Sequence, residues 1–104
     1  MTRERLPDRR NAEVFDFIHR NRRWTATIGR FPDGRVAELF LDAAKVDPLS
    51  ELAQDVAIVA SIALQSGCPL ETLRHALSGR GEGPLSAALA LVQESDSRRK
   101  IQDE

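Results

Sequence analysis

The stretch Arg23-Trp24-Thr25-Ala26-Thr27-Ile28-Gly29-Arg30-Phe31-Pro32-Asp33-Gly34-Arg35-Val36-Ala37-Glu38-Leu39-Phe40-Leu41 decides the fold. Trp24, Ala26 and Ile28 share one face of an extended chain, and Thr25 and Thr27 share the other. A period of two with aromatic and β-branched residues predicts a strand over 23–30. Phe31-Pro32-Asp33-Gly34 predicts a hairpin turn. Pro32 presets φ, Asp33 suits the next position, and Gly34 tolerates the left-handed conformation that closes the turn. The chain then returns as a strand over 35–42. Val36 and Phe40 lie on one side, and Ala37, Leu39 and Leu41 on the other. Both sides are apolar, so this strand is expected to be central or covered on both faces.

Upstream, 12–19 alternates as a further strand, with Phe15 and Phe17 on one face and Val14 and Ile18 on the other. Arg20 to Arg23 reads as a polar loop. Downstream the period becomes helical. Asp47-Pro48 is an N-cap followed by proline at the first helical position, and Gly67 is a natural stop after Ser66. On this helix Glu51, Gln54, Asp55, Ser61 and Gln65 form a polar stripe, and Leu52, Val56, Val59, Ala60 and Ala63 form the side expected to be buried. Ile58 and Ile62 interrupt the polar stripe. With neighbouring Asp55 they form the candidate partner interface, covered by another helix or a second subunit. Shorter helices follow over 69–77 and from Pro84 to about Gln93, separated by a glycine-bearing loop.

Strands segregated before helices give an α+β fold, a three-stranded antiparallel sheet (β-β-β) followed and covered by three helices. The expected organisation is a flexible basic arm over 1–11, one domain over 12–94, and a charged frayed tail over 95–104. With 104 residues there is one modest core, and association would bury what it leaves exposed.

Composition excludes several classes. One cysteine, Cys68, rules out an intramolecular disulfide, a four-thiolate metal site within one chain and dithiol redox exchange. The longest mostly apolar run, over 56–64, is about half of the ~20 residues a membrane span needs. Met1 to Arg10 carries no apolar signal core, so the expected compartment is the cytoplasm. The formal net charge is −1, which argues against a wholly basic nucleic-acid binder. The charge is nevertheless uneven. Residues 1–35 carry nine arginines against five acids, and residues 36–104 carry six basic against eleven acidic side chains. An anionic partner at the N-terminal half, or two complementary ends meeting in a dimer, would fit this asymmetry.

Few groups invite chemistry. His19 and His75 lack metal-ligand spacing. Cys68 precedes a helix, but His75 lies about two turns further along that same short helix, a poor geometry for a nucleophile and its base. Ser78-Gly79-Arg80-Gly81-Glu82-Gly83-Pro84 is glycine-rich, but it follows a helix and lacks the lysine ending of a phosphate loop. Glu38 stands alone among apolar strand neighbours, with no second carboxylate for acid–base work. Arg20, Arg22 and Arg23 beside Trp24 are the candidate anion contact, through phosphate pairing and base stacking. The alternation that places Trp24 with Ala26 and Ile28 points that ring into the core instead. No catalytic residue, metal ligand or cofactor site is assigned.

Phe15-Asp16-Phe17, the stretch from Arg23 to Leu41, and Asp55 to Leu77 together resemble the TSCPD domain. In that family a strand leads through an acidic-Gly turn to a strand bearing Glu-x-Phe, here Glu38-Leu39-Phe40. The helical half is similar in its pattern Ser61-x₂-Leu64-x₂-Gly67-x-Pro69-Leu70-x₂-Leu73-x₃-Leu77. The resemblance covers about 13–92. The domain occurs at the C-terminal end of adenosylcobalamin-dependent (class II) ribonucleotide reductases and as short free-standing proteins. It implies a link to deoxyribonucleotide synthesis and, through it, to DNA replication. It implies no catalysis here, because the reductase reaction needs a barrel with a radical-forming cysteine and a reducing pair. The family's Cys-Pro-Asp segment is also absent, its nearest region being Gly83-Pro84-Leu85. The expected role is a non-catalytic accessory module that self-associates as a homodimer or binds a reductase subunit. The alternative is nucleotide or nucleic-acid binding through the Arg-rich half. No membrane partner is expected.

Overall fold

A computed structural model describes residues 2–7, 12–79 and 81–102, the side chains of 99–102 excepted. Three strands, β1 (Ala12–His19), β2 (Arg22–Arg30) and β3 (Val36–Ala43), precede three helices, α1 (Pro48–Gln65), α2 (Leu70–Leu77) and α3 (Pro84–Gln102). The sheet is antiparallel in the order β1-β2-β3. The strand-then-helix fold expected above is the one observed.

β2 is the central strand and β3 lies at an edge, so of the two alternatives expected for β3 the central placement does not hold. A register shift at Gly29/Arg30 explains that pattern. It turns both Val36 and Ala37 into buried positions, at 7% and 0% exposure, so alternation fails there. The β1–β2 connection is tighter than a polar loop. His19 pairs with Arg22, so Arg20 and Asn21 alone make the turn, at φ 52° and 62°. Left-handed values at both positions match the right-handed twist of a two-residue hairpin. The β2–β3 turn closes as expected: Gly34 at φ 96° donates its N–H to the Phe31 carbonyl at 2.9 Å.

Trp24, Ile28, Leu39, Leu41, Leu89 and Val92 are the largest fully buried side chains. β2 and β3 supply the first four. α3 lays Leu85, Ala88, Leu89 and Val92 over them at helical spacing. Phe15, Phe17 and the α2 leucines 70, 73 and 77 pack round the margin. α3 runs to Gln102, past the end expected near Gln93. No glycine or proline interrupts it. Arg30 donates to Asp96 at 2.7 Å, and Arg98 pairs with Glu94 one turn away at 2.7 Å.

α1 corrects the expected face. Its buried residues are Ser50, Ala53, Ala57, Ala60, Ser61, Leu64 and Gln65, and the larger Leu52, Val56 and Val59 are exposed. The helix lies along the open edge of β3, where backbone groups need partners. Leu39 N–H donates to Ser61 Oγ at 2.9 Å. Ser61 Oγ is also within donating distance of the Leu39 and Ala57 carbonyls, at 3.0 and 2.8 Å. Gln65 Nε2 donates to the Ala37 carbonyl at 3.1 Å. Reaching that edge requires small residues at the contact, so the bulky ones turn outward. Residues 2–7, part of the expected arm, lie against the end of α1. Glu4 N–H donates to the Gln65 carbonyl at 2.6 Å, and Arg3 Nε donates to Gln65 Oε1 at 2.6 Å. The rest of that arm, 1 and 8–11, lies outside the described residues, as do 103 and 104 of the expected tail.

Two substitutions test this packing by denaturant unfolding. Ser61→Ala strips partners from the buried β3 edge and is expected to cost about 1–3 kcal/mol. A Cβ at Gly29 would come within 2.6 Å of Glu38 Oε1 and 2.7 Å of Glu38 Cγ. Gly29→Ala is therefore expected to cost about 1–3 kcal/mol. Adding Glu38→Ala to it recovers part of that loss.

Candidate functional surface

The Arg/Trp cluster does not assemble into one exposed site. Trp24, on the central strand, is 1% exposed and belongs to the core. Its Nε1 is buried without an acceptor among the described residues. Arg22 folds over that ring, its guanidinium carbon 5.2 Å from the centroid. The same guanidinium binds both carboxylate oxygens of Asp47 at 2.7 Å and donates to the Lys45 carbonyl at 3.1 Å. A ring so buried cannot stack a base, and Arg22 is already committed to a carboxylate. Arg20 and Arg23 remain exposed, Arg20 in the turn and Arg23 on the sheet face opposite Trp24.

The Arg22 pairing has a structural purpose. Asp47 caps α1, accepting the Ser50 N–H at 3.0 Å, and Ser50 Oγ accepts the Asp47 N–H at 2.9 Å. This is a reciprocal capping arrangement with serine in place of the usual glutamate. Hydrogen bonds from Arg22 and then Ser50 hold the Asp47 carboxyl down at about 2. The Asp47 hydrogen bond in turn raises the Arg22 guanidinium. Arg30 makes a second tie. It reaches Glu13 on β1 at 2.5 Å, Asp96 on α3 at 2.7 Å and the Gly34 carbonyl at 2.7 Å. Burial works against its charge, but the bonds to Glu13 and Asp96 outweigh that and raise its pKa. Asp96 was missed in the sequence because it falls in a segment read as a tail.

The candidate interface residues Ile58, Ile62 and Asp55 are exposed on α1, the isoleucines at 49% and 43%. They are not alone. Leu49, Leu52, Val56 and Val59 are between 45% and 67% exposed on the adjoining side of the same helix. Leu49, Leu52, Val56, Val59 and Ala63 recur at alternating steps of three and four, the spacing of a helix seam that meets another helix. The sequence contained a signal for this: Ala53, Ala57, Ala60 and Ser61 form the stripe small enough to approach a sheet edge. The outer sheet face adds exposed Val14, Ile18 and Phe40.

Two clefts are lined largely by apolar groups, and the first borders this surface. One of about 270 Å³ lies between the first half of α1 and residues 77–86, lined largely by Leu41, Leu49, Leu52, Val56, Leu77 and Leu85. The other, about 510 Å³, includes Phe31, Arg35, Cys68, Glu71 and Asp96. Cys68 Sγ lies 3.7 Å from the carbonyl of its own neighbour Pro69. Arg35 is held by Asp33 at 2.7 Å and Glu4 at 3.1 Å. Among the described residues no group of three or more His, Cys, Asp or Glu is placed to hold a metal ion, and no helix is long and apolar enough to cross a membrane.

Seventy-seven residues, 73% of the chain, align at 34% identity with a vitamin B12-dependent ribonucleotide reductase from Rhodopirellula baltica. The chain is similar to a region of that enzyme. It spans 7% of the enzyme's length. No family model matches the chain, and no solved structure matches it.

The Asp47 carboxyl supplies a pH test. Its folded pKa is depressed to about 2, so the stability it contributes is present above the unfolded carboxylate value and is lost as pH falls through about 2. Melting temperature across that acid window is expected to fall less steeply in Asp47→Asn than in the parent. At neutral pH Asp47→Asn melts lower, because Arg22 loses its ion pair.

Proposed function

We propose that the chain is a non-catalytic accessory module of TSCPD type that acts in deoxyribonucleotide synthesis by binding protein. One observation carries this reading: α1 presents a run of large apolar side chains outward while its small residues face the sheet. Contiguous exposed apolar surface on a small protein marks a place where another macromolecule binds. Similarity to a segment of a B12-dependent ribonucleotide reductase supports the connection to nucleotide reduction. A segment amounting to 7% of that enzyme is the size of an appended module. No side chain here is assigned a role in radical chemistry.

Nucleotide or nucleic-acid binding through Arg20, Arg22, Arg23 and Trp24 is the weaker reading, since Trp24 is buried and Arg22 is engaged by Asp47. Sedimentation velocity tests the module reading, with the chain alone and mixed with a purified B12-dependent ribonucleotide reductase. Association in at least one arm is expected, abolished by Val59→Glu at a site 67% exposed. A chain that stays monomeric and never co-sediments refutes it.

A further inference from the structure

The sheet has two edges, and α1 answers the one at β3. The other edge is β1, and the direction of its backbone groups follows from the bonds already described. Leu39 and Ala37 turn their backbone groups to α1, so Glu38, Phe40 and Asp42 are the β3 residues that bond to β2. Their partners there are Gly29, Thr27 and Thr25. Backbone groups alternate in direction along a strand, so Ile28, Ala26 and Trp24 bond to β1, through Glu13, Phe15 and Phe17. The two-residue Arg20-Asn21 turn sets the same phase, since it closes on a hydrogen-bonded His19–Arg22 pair. The N–H and C=O groups of Ala12, Val14, Asp16 and Ile18 therefore point away from the sheet. Among the described residues no other backbone bonds to them. Strand edges are commonly blunted by bulges, prolines or lysines. The β1–β2 register is unbroken from Ala12–Gly29 to His19–Arg22, and β1 holds neither proline nor lysine. Its acids are already bonded, Glu13 to Arg30 and Asp16 to Thr25. Val14 and Ile18, on the outer face of this strand, are 63% and 70% exposed.

We infer that the β1 edge pairs with the β1 strand of a second copy, antiparallel about a two-fold axis at Asp16, so that one sheet runs through both chains. A row of alternating donors and acceptors is matched in full by another extended backbone. The side chains of β1 select the strand itself. A two-fold axis normal to the sheet keeps each face on its own side, so inner residues meet inner and outer meet outer. With the axis at Asp16, Val14 lies opposite the second copy's Ile18 on the outer face. Phe15 lies opposite the second copy's Phe17 on the inner face. Every large apolar side chain of the strand then meets another. Phe15 and Phe17, partly buried at the margin of the core, gain cover, and the two cores join beneath the sheet. Val14, Asp16 and Ile18 are the residues whose backbone groups point outward, and in this register they pair with one another and exchange N–H···O bonds. An axis at Phe15 would instead set Val14 against Asp16 and Glu13 against Phe17. The chosen register brings Glu13 opposite His19. Its one like-charge contact is Asp16 with its own copy, each carboxylate accepting from Thr25 Oγ1 of its own chain at 2.7 Å. This surface is separate from the apolar face of α1, which stays available to another protein.

The test joins mass by light scattering over a dilution series to amide hydrogen exchange followed by NMR. The parent chain is expected to reach twice its 11.6 kDa mass as concentration rises. Exchange at Val14, Asp16 and Ile18 slows in step, while the Phe15 and Phe17 amides, bonded to β2, are protected at every concentration. Val14→Lys should weaken self-association on the order of tenfold, since the two-fold axis repeats the change. Val46→Lys, at a position 82% exposed and off the edge, should leave it unchanged. If circular dichroism shows that Val14→Lys disturbs the fold, Ile18→Lys takes its place. Asp16→Asn should tighten the dimer about threefold by removing the like-charge contact. Val59→Glu leaves this dimer intact although it abolishes association through α1, so the two readings fail separately. A chain that keeps the single mass overturns the proposal. So does a dimer whose Val14, Asp16 and Ile18 amides exchange as fast as in the single chain, one indifferent to the edge lysine, or one that Asp16→Asn weakens. A chain that joins a reductase through this edge but not its own copy overturns the second copy and leaves the module reading standing.

Discussion

The seating of α1 on the open edge of β3 is the constraint from which the rest of the molecule follows. A three-stranded sheet leaves two edges, and the β3 edge exposes the N–H and C=O of Leu39 and the carbonyl of Ala37. Ser61 and Gln65 answer them from the helix. An exposed edge of this length would otherwise be a template for another strand. Side-chain hydrogen bonds of about 3 Å demand that the helix backbone come close, and Ala53, Ala57, Ala60 and Ser61 permit that approach. The cost falls on the remaining positions of the helix. Leucine, valine and isoleucine are left on the far side, facing water.

Two arginines fix how the layers meet. Arg22 joins the start of β2 to the N-cap of α1, so the helix begins where the sheet needs it. Arg30 joins the end of β2 to β1 and to α3. Both guanidiniums are largely covered and hydrogen-bonded to carboxylates, the setting in which arginine's planar fork holds partners most firmly. The same arrangement withdraws Arg22 and Trp24 from the surface. Residues that look like an anion-binding group in the linear sequence are used to brace the fold.

What remains at the surface is apolar and patterned. Cys68 Sγ lies beside the Pro69 carbonyl at 3.7 Å. The small side of α1 faces its own sheet and its large side faces outward.

The sequence by itself determined the strands, the β2–β3 turn and the helix starts, because each rests on short-range physics. Alternation at Trp24, Ala26 and Ile28, the left-handed Gly34, and the Asp47-Pro48 cap are local preferences that need no distant partner. Ile58 and Ile62 were legible as unusual for the same reason. The rest depended on contacts across the chain. Polarity alone marks Ser61 and Gln65 as surface and Leu52, Val56 and Val59 as core. The reverse holds because the hydrogen-bonding needs of a strand edge outrank burial of the larger side chains. Glu38, unusual among apolar strand neighbours, lays its side chain over Gly29, where a Cβ would come within 2.6 Å of it. α3 continues beyond Gln93, where Asp96 accepts from Arg30. Tertiary structure decided which face of α1 is inside, since the closest approach of helix to sheet is a property of two elements together.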